Sequence, residues 1–354
     1  MPNATKQIKL KVISTLLLIL LRSMKNRLVY DFLFRKNSMN PWKIVVGLCA
    51  LVITGFTNAA SIAPVIDSFK LTDLLEEESV TVLEIRSNEK AYLDHHIPGS
   101  VYIPYAEFRG PDSNPGKLPD LTRLAKSLGT RGINAGSSIV IVHDGVTTTD
   151  FGAAARVYWT LKSVGFESLA ILNGGFRAYQ KDGFEIASDK TAVDETTPVI
   201  KFDPTWYADT AEVERQVTGQ GGSRLLDARQ DEFYAGEAWH DSAARPGILP
   251  GADQFSYESF FDKNTPILKH ADEVQTIIAA NQLNQAGTIS YCNTGHWAAT
   301  NWFVLSEVAK VQNVKLYAES MVEWSALNKP MENVPTLVQF AILKTKKWFN
   351  NLVN

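Results

Sequence analysis

One order of short apolar runs, turns and helical stretches occurs twice in this 354-residue chain, and that repetition restricts the fold more than any other feature. In the first copy an apolar run at 80–85 ends on Arg86, and His96-Ile97-Pro98-Gly99 makes a turn. A β-branched run follows at 137–142, then an amphipathic helical stretch at 151–164 and a buried run at 169–172. The runs at 225–229, 247–252, 288–292, 301–310 and 314–317 answer these in the same order. A period of roughly 150 residues is too long for a solenoid and reads as a duplicated domain. Strands alternating with helices predict parallel α/β sheets, and β-branched runs without polar alternation predict strands covered on both faces. Pairing the copies sets Cys292 opposite Asp144. The second domain then holds a nucleophile where the first holds a carboxylate, so the first is expected to be an inactive partner.

The chain divides as follows. Residues 1–60 read as a targeting region, 65–185 as the first domain, 186–205 as a linker rich in Asp, Thr and Pro, 206–330 as the second domain, and 331–354 as a C-terminal amphipathic helix. Within 1–60, Met39 stands where an initiator would stand. A short positive segment, an apolar core at 44–56 and the small residues Ala59 and Ala60 have the form of a secretory signal. This predicts export, to a periplasmic location. The alternative is membrane anchoring by an uncleaved N-terminal segment. Cleavage would remove Cys49 and leave Cys292 as the single thiol, a pattern that fits a reactive cysteine.

Charge narrows the partners. The first 43 residues carry nine Lys/Arg and one acid, Asp31, which leaves 26 basic against 37 acidic residues beyond them. So acidic a body excludes nucleic-acid binding by broad electrostatics. There is no zinc-ligand array and no glycine-rich phosphate loop. The tail carries Leu337, Phe340, Ile342, Leu343, Trp348 and Phe349 beside Lys344, Lys346 and Lys347. It either packs back on the domain or makes peripheral membrane contact, as the N-terminus also could.

The stretch Ser290-Tyr291-Cys292-Asn293-Thr294-Gly295-His296-Trp297-Ala298 reads as a strand end, a cysteine, a tight loop and the start of a helix. A thiol so placed faces backbone amides and the positive end of a helix, both of which favour thiolate. Gly295 lets the loop close where a side chain would obstruct it.

With these motifs the chain resembles the tandem-domain rhodanese and mercaptopyruvate sulfurtransferase family over residues 65–328. His96-Ile97-Pro98-Gly99, Leu172-Asn173-Gly174-Gly175-Phe176, Asp227-Ala228-Arg229, Cys292-x-x-Gly295-x-x-Ala298 and Tyr317-x-x-Ser320-x-x-Glu323-Trp324 carry the likeness. The resemblance implies two tandem rhodanese-like domains, each a mainly parallel sheet flanked by helices, the second catalytic. It implies a sulfurtransferase that moves sulfur from a small anionic donor, thiosulfate or mercaptopyruvate, to a thiol or cyanide through a Cys292 persulfide, with no metal or organic cofactor. The substrate would meet Asn293, Thr294, Gly295, His296, Trp297 and Ala298, with Arg229, Arg245 and His96 as further candidates. The chain departs from the family in three places. The loop after Cys292 has neither the cations of thiosulfate enzymes nor the Gly-Ser pair of mercaptopyruvate enzymes. Ile248 replaces the histidine of the second Pro-Gly turn, and Glu84 replaces the first aspartate. A persulfide carrier for a specific partner is the alternative reading. A cysteine phosphatase is disfavoured, because Ala298 stands where its loop would close on an arginine.

Overall fold

A computed structural model describes residues 62–188 and 190–353 of the chain. The Met39 start, the signal-like segment and Cys49 lie outside the described residues.

Two parallel sheets form the frame. The first holds β1 (Val65–Ile66), β2 (Thr81–Glu84), β3 (Val101–Tyr102), β4 (Ile139–Val142) and β5 (Leu169–Leu172), in the order β1-β5-β4-β2-β3. The second holds β6 (Arg224–Asp227), β7 (Asp253–Gln254), β8 (Thr288–Tyr291) and β9 (Val314–Leu316), in the order β7-β6-β8-β9. Every strand pairing in both is parallel. All four residues of β4, β5 and β8 are buried, as runs without alternation require. Asp67, Asn88, Asp120 and Asp209 cap helices by accepting from main-chain N–H groups of the first turn.

The strands correct the alignment of the copies. Glu84 lies beside Val142, and Asp227 lies beside Tyr291. The residues that follow, His143 and Cys292, are therefore the matched pair. The next connection agrees: Phe176 N and Arg177 N donate to the carbonyls of His143 and Asp144, as Met321 N and Val322 N donate to those of Cys292 and Asn293. Asp144 thus answers Asn293, one residue later than the sequence comparison places it. The β-branched runs leave such a slip unresolved because neighbouring positions in them look alike.

The first domain opens with an edge strand, β1, which the second copy replaces with a single parallel bridge between Tyr207 and Leu316. Two further expectations change. The linker is pinned to the first domain, through His96 with Ala187, Thr196 N to Gly129 O, and Asp203 N to Ser163 O. The helix Thr148–Ser163 is not amphipathic, since most of its residues are buried. It packs on the matching helix Trp297–Phe303 of the second domain, with Phe151 and Tyr158 edge-on to Phe303. One hydrophobic core runs from Leu83 through this helix pair to Leu316. The two domains are one packed body, so a residue of either can be held against a loop of the other.

Candidate active site

Cys292 follows β8 directly and is the only free cysteine among the described residues, with 1% of its surface exposed. Its N–H donates to Ser320 Oγ at 3.0 Å, and Ser320 Oγ donates to Tyr317 O at 2.7 Å. Ser320 sits at φ 51°, a left-handed conformation uncommon for serine. The loop carbonyls are turned outward. Cys292 O accepts from Met321 N at 3.2 Å, Asn293 O from Val322 N at 3.1 Å, and Thr294 O from Arg109 Nη2 at 2.8 Å. A trans peptide sends its N–H opposite to its C=O. The N–H groups of Asn293, Thr294 and Gly295 therefore turn away from those partners. Among the described residues, no main-chain N–H from Asn293 to Ala298 donates to a protein acceptor. Buried main-chain donors are nearly always satisfied, so these six in a row, four of them on buried residues and the last two opening a helix, mark a candidate site for an anion. Gly295, at φ 65°, makes the loop possible: a Cβ there would strike Ala318 O and lie 2.7 Å from Arg156 Nη1.

The first domain supplies the other wall. Arg109 donates through Nε to Pro115 O at 2.8 Å and through Nη1 to Tyr105 Oη at 3.0 Å, besides its bond to Thr294 O. Arg156 is fully buried; Nη2 donates to Gly116 O at 2.8 Å and Nη1 lies 3.5 Å from Thr294 O. Burial and the nearby Arg109 push Arg156 down to about 10, which leaves it cationic at neutral pH. Sequence reasoning missed both arginines and Tyr105. A signal existed for Arg156, a lone cation in the apolar run Ala153-Ala154-Ala155-Arg156-Val157-Tyr158-Trp159.

His296 turns into the seam between the domains rather than toward solvent. Its Nε2 is 2.8 Å from Thr149 O and its Nδ1 is 2.8 Å from Tyr105 Oη. A carbonyl only accepts, so Nε2 carries the proton and Nδ1 accepts from Tyr105. Burial, then the charge of Arg109, push its pKa down to about 3. His296 is neutral across physiological pH and fixes geometry. Gly152 admits it, since a Cβ on that helix would come within 3.0 Å of the imidazole. Trp297 stacks on Tyr257 at 5.4 Å, meets Phe233 edge-on, and donates to Thr149 Oγ1 at 3.3 Å.

The other predicted residues divide. Asn293, Thr294, Gly295 and Ala298 form the loop itself. Arg229 lies behind it, buried, bonded through Nε and Nη2 to Asp227 and through Nη1 to Asn293 Oδ1 at 3.1 Å. Burial opposes its charge, but the Asp227 carboxylate outweighs burial and holds the arginine above its ordinary pKa. Arg245 instead binds Lys329 O at 3.0 Å and touches Met331 Sδ at 3.3 Å. His96 is buried in the first domain, with Nδ1 2.9 Å from Tyr92 O and its ring stacked on Tyr92. The structure brings neither Arg245 nor His96 to the loop.

A buried thiol on an amide-lined loop, at the carboxyl end of a parallel strand and backed by a duplicate domain without the thiol, defines a tandem α/β cysteine protein. Comparison gives the family: the Rhodanese-like domain matches residues 70–182 and again 209–327, and the chain belongs to it. A provisionally named thiosulfate sulfurtransferase of Synechococcus elongatus is 28% identical over 274 residues, 75% of this chain and 83% of that one. One from Mycobacterium bovis is 26% identical, over 72% of this chain and 91% of its own. An anaerobic ergothioneine biosynthesis enzyme from Chlorobium limicola, bound to trimethyl histidine, superposes with a TM-score of 0.67 at 21% identity, covering 76% of this chain and 70% of its own. EanB, solved with ergothioneine covalently linked to a persulfide cysteine, superposes at 0.66 with 22% identity and similar coverage. At these identities the structural likeness speaks to fold.

Proposed function

We propose that this protein is a sulfurtransferase in which Cys292 takes a sulfane sulfur from a small anionic donor of the thiosulfate class. The reading rests on the run of unclaimed N–H groups from Asn293 to Ala298 beside the thiol. Thiolate attacks the outer sulfur of thiosulfate. A Cys292 sulfur–sulfur bond forms, the donor's sulfur–sulfur bond breaks, and sulfite leaves with the electron pair. The terminal sulfur of the persulfide carries the negative charge, which the loop amides are placed to stabilise. A thiol or cyanide then attacks that sulfur and returns Cys292 to thiolate. Arg109 and Arg156 supply the positive field that the loop's own side chains lack. We also propose export as the setting, on the strength of the N-terminal sequence.

The test is intact-mass measurement after incubation with thiosulfate, and separately with mercaptopyruvate. A gain of one sulfur atom is expected, absent from the Cys292→Ser variant. Release of that sulfur on adding cyanide or a dithiol marks turnover, whereas a persulfide inert to both marks a carrier. No sulfur gain with either donor would overturn the proposal.

A further inference from the structure

The C-terminal helix Leu337–Val353 has two apolar faces, and the protein body covers one. On the covered face Phe340 meets Trp239 edge-on at 5.2 Å, while Lys347 pairs with Asp241 and lies over the Trp239 ring at 4.5 Å. The other face is bare. Leu337 is 89% exposed, Val338 72%, Ile342 51%, Trp348 63% and Phe349 60%. Five of the twelve large exposed hydrophobics among the described residues thus sit on this one helix. Val338, Ala341, Ile342, Thr345 and Phe349 line an open groove with Lys346, at the three- and four-residue spacing of a single helix face. Solvated proteins rarely leave so continuous an apolar strip uncovered.

We propose that this face docks on the surface of an anionic lipid bilayer, with the helix lying in the interface. Charge selects this occupant over an apolar protein groove. From Asn333 to Asn354 the sequence has three lysines and no acid, whereas residues 44–332 hold 23 Lys/Arg against 37 Asp/Glu. Lys344 and Lys346 are both exposed and flank the strip, while Lys347 is turned to the body. Among the described residues, an acidic body with this cationic, apolar edge is drawn to an anionic surface by that edge and repelled where its acids face the lipid. Bulky apolar side chains between flanking lysines are the arrangement of a helix that lies at the boundary of headgroups and acyl chains. The helix is not long and apolar enough to cross a bilayer. Because Phe340 and Lys347 occupy the covered face, docking needs no detachment from the body. The proposal does not rest on the sulfurtransferase reading or on the N-terminal segment.

Hydrogen–deuterium exchange of the full chain, with and without vesicles of phosphatidylcholine and phosphatidylglycerol, reads the helix locally, whatever the N-terminus does. At least tenfold slower exchange in peptides covering 337–353 is expected with anionic vesicles, and much less with phosphatidylcholine alone. Val338→Ser/Ile342→Ser/Phe349→Ser and Lys344→Glu/Lys346→Glu should each remove the protection and leave sulfur uptake by Cys292 unchanged. Exchange in 337–353 unaffected by anionic vesicles would overturn the proposal. So would a lipid-free dimer, seen by sedimentation, that the serine variant dissolves, because the face would then belong to a second copy.

Discussion

The loops after β4 and β8 begin at matched residues and spend their main-chain donors differently. After β8 the N–H groups of Thr294, Gly295 and His296 are unclaimed. After β4 the corresponding groups are taken. Gly145 N donates to His143 Nδ1 at 3.1 Å, and Val146 N and Thr147 N donate to Asp150 Oδ2 at 2.8 and 2.9 Å. Asp150 is the carboxylate of a capping box, a built-in anion at the helix N-terminus. The same offset of 149 residues that pairs His143 with Cys292 pairs Asp150 with Ala299, a methyl group. The first domain therefore lacks more than a thiol. It has filled the cradle that the second domain leaves open.

The arginines differ in parallel. Arg229 is locked to Asp227 and reaches Asn293, whereas Glu84 reaches past Arg86 to accept from Ile97 N and Ser100 Oγ, both at 2.8 Å. Arg86 keeps only a loose pairing with Glu84, Nη1 lying 3.7 Å from Oε2, and holds Asp144 more closely, with Nε 3.2 Å from the carboxylate, while it stacks over Phe176. The Arg229–Asp227 pair is buried at both ends, while Arg86 and Asp144 keep 10% and 20% of their side-chain surface exposed. Losing one partner of a buried pair strands the other charge. Arg229→Met should cost about 3–5 kcal/mol in urea unfolding. Arg86→Met should cost about 1–2 kcal/mol, since Asp144 keeps the Ser87 N–H at 2.7 Å and some water. Equal losses would show that the two arginines are equivalent props.

Exchanging the plug between the two domains perturbs the cradle most. Ala299→Asp places a carboxylate where Asp150 stands in the first domain and should lower the rate of sulfur uptake at least a hundredfold, about 3 kcal/mol. Ala299→Asn adds nearly the same volume without the charge and should retain far more activity. If the two variants lose equally, packing rather than charge is responsible. Conversely, His143→Cys in a Cys292→Ser background should gain no sulfur by intact mass, because Asp150 still claims the loop amides.

Glu84 provides a pH test confined to the first domain. Burial raises its pKa from 4.5 to about 7, against the opposing hydrogen bonds of Ile97 and Ser100 and the charge of Arg86. The folded state then binds the proton more tightly than the unfolded chain. This contribution to stability is complete below pH 4.5 and is lost as pH rises to about 7. The full shift corresponds to about 3 kcal/mol as a ceiling. Glu84→Gln keeps an oxygen for Ile97 N and Ser100 Oγ and cannot ionise, so it should be more stable than the parent at pH 8 by about 2 kcal/mol. The two should converge near pH 4. A stability difference independent of pH would refute the assignment.

Much of this was legible in the sequence. The buried runs at 139–142, 169–172 and 288–291 have no alternation, and the segment from Cys292 to Ala298 announces a thiol on a turn before a helix. Two things were not legible, for different physical reasons. The slip between Asp144 and His143 escaped because β-branched runs carry no register mark; only the ladder beside Glu84 and Asp227 supplies one. Tyr105, Arg109, Thr149 and Arg156 escaped because they reach the loop across a tertiary seam, more than 130 residues from it in sequence. The cations sought in the loop's own sequence come from the other domain.

The filled half serves the open one through Arg109. Its Nη2 holds Thr294 O outward, which by peptide geometry turns Gly295 N–H the other way. Its Nη1 holds Tyr105, which in turn orients His296. Lysine keeps the charge but cannot span Pro115 O, Tyr105 Oη and Thr294 O together. If Arg109 contributes only long-range attraction for an anionic donor, Arg109→Lys should leave kcat/KM nearly unchanged at low salt. If it positions the loop, kcat/KM should fall about tenfold, roughly 1.4 kcal/mol, at low and high salt alike. We expect the second outcome. A merely structural role would instead lower the melting temperature without that salt-independent loss.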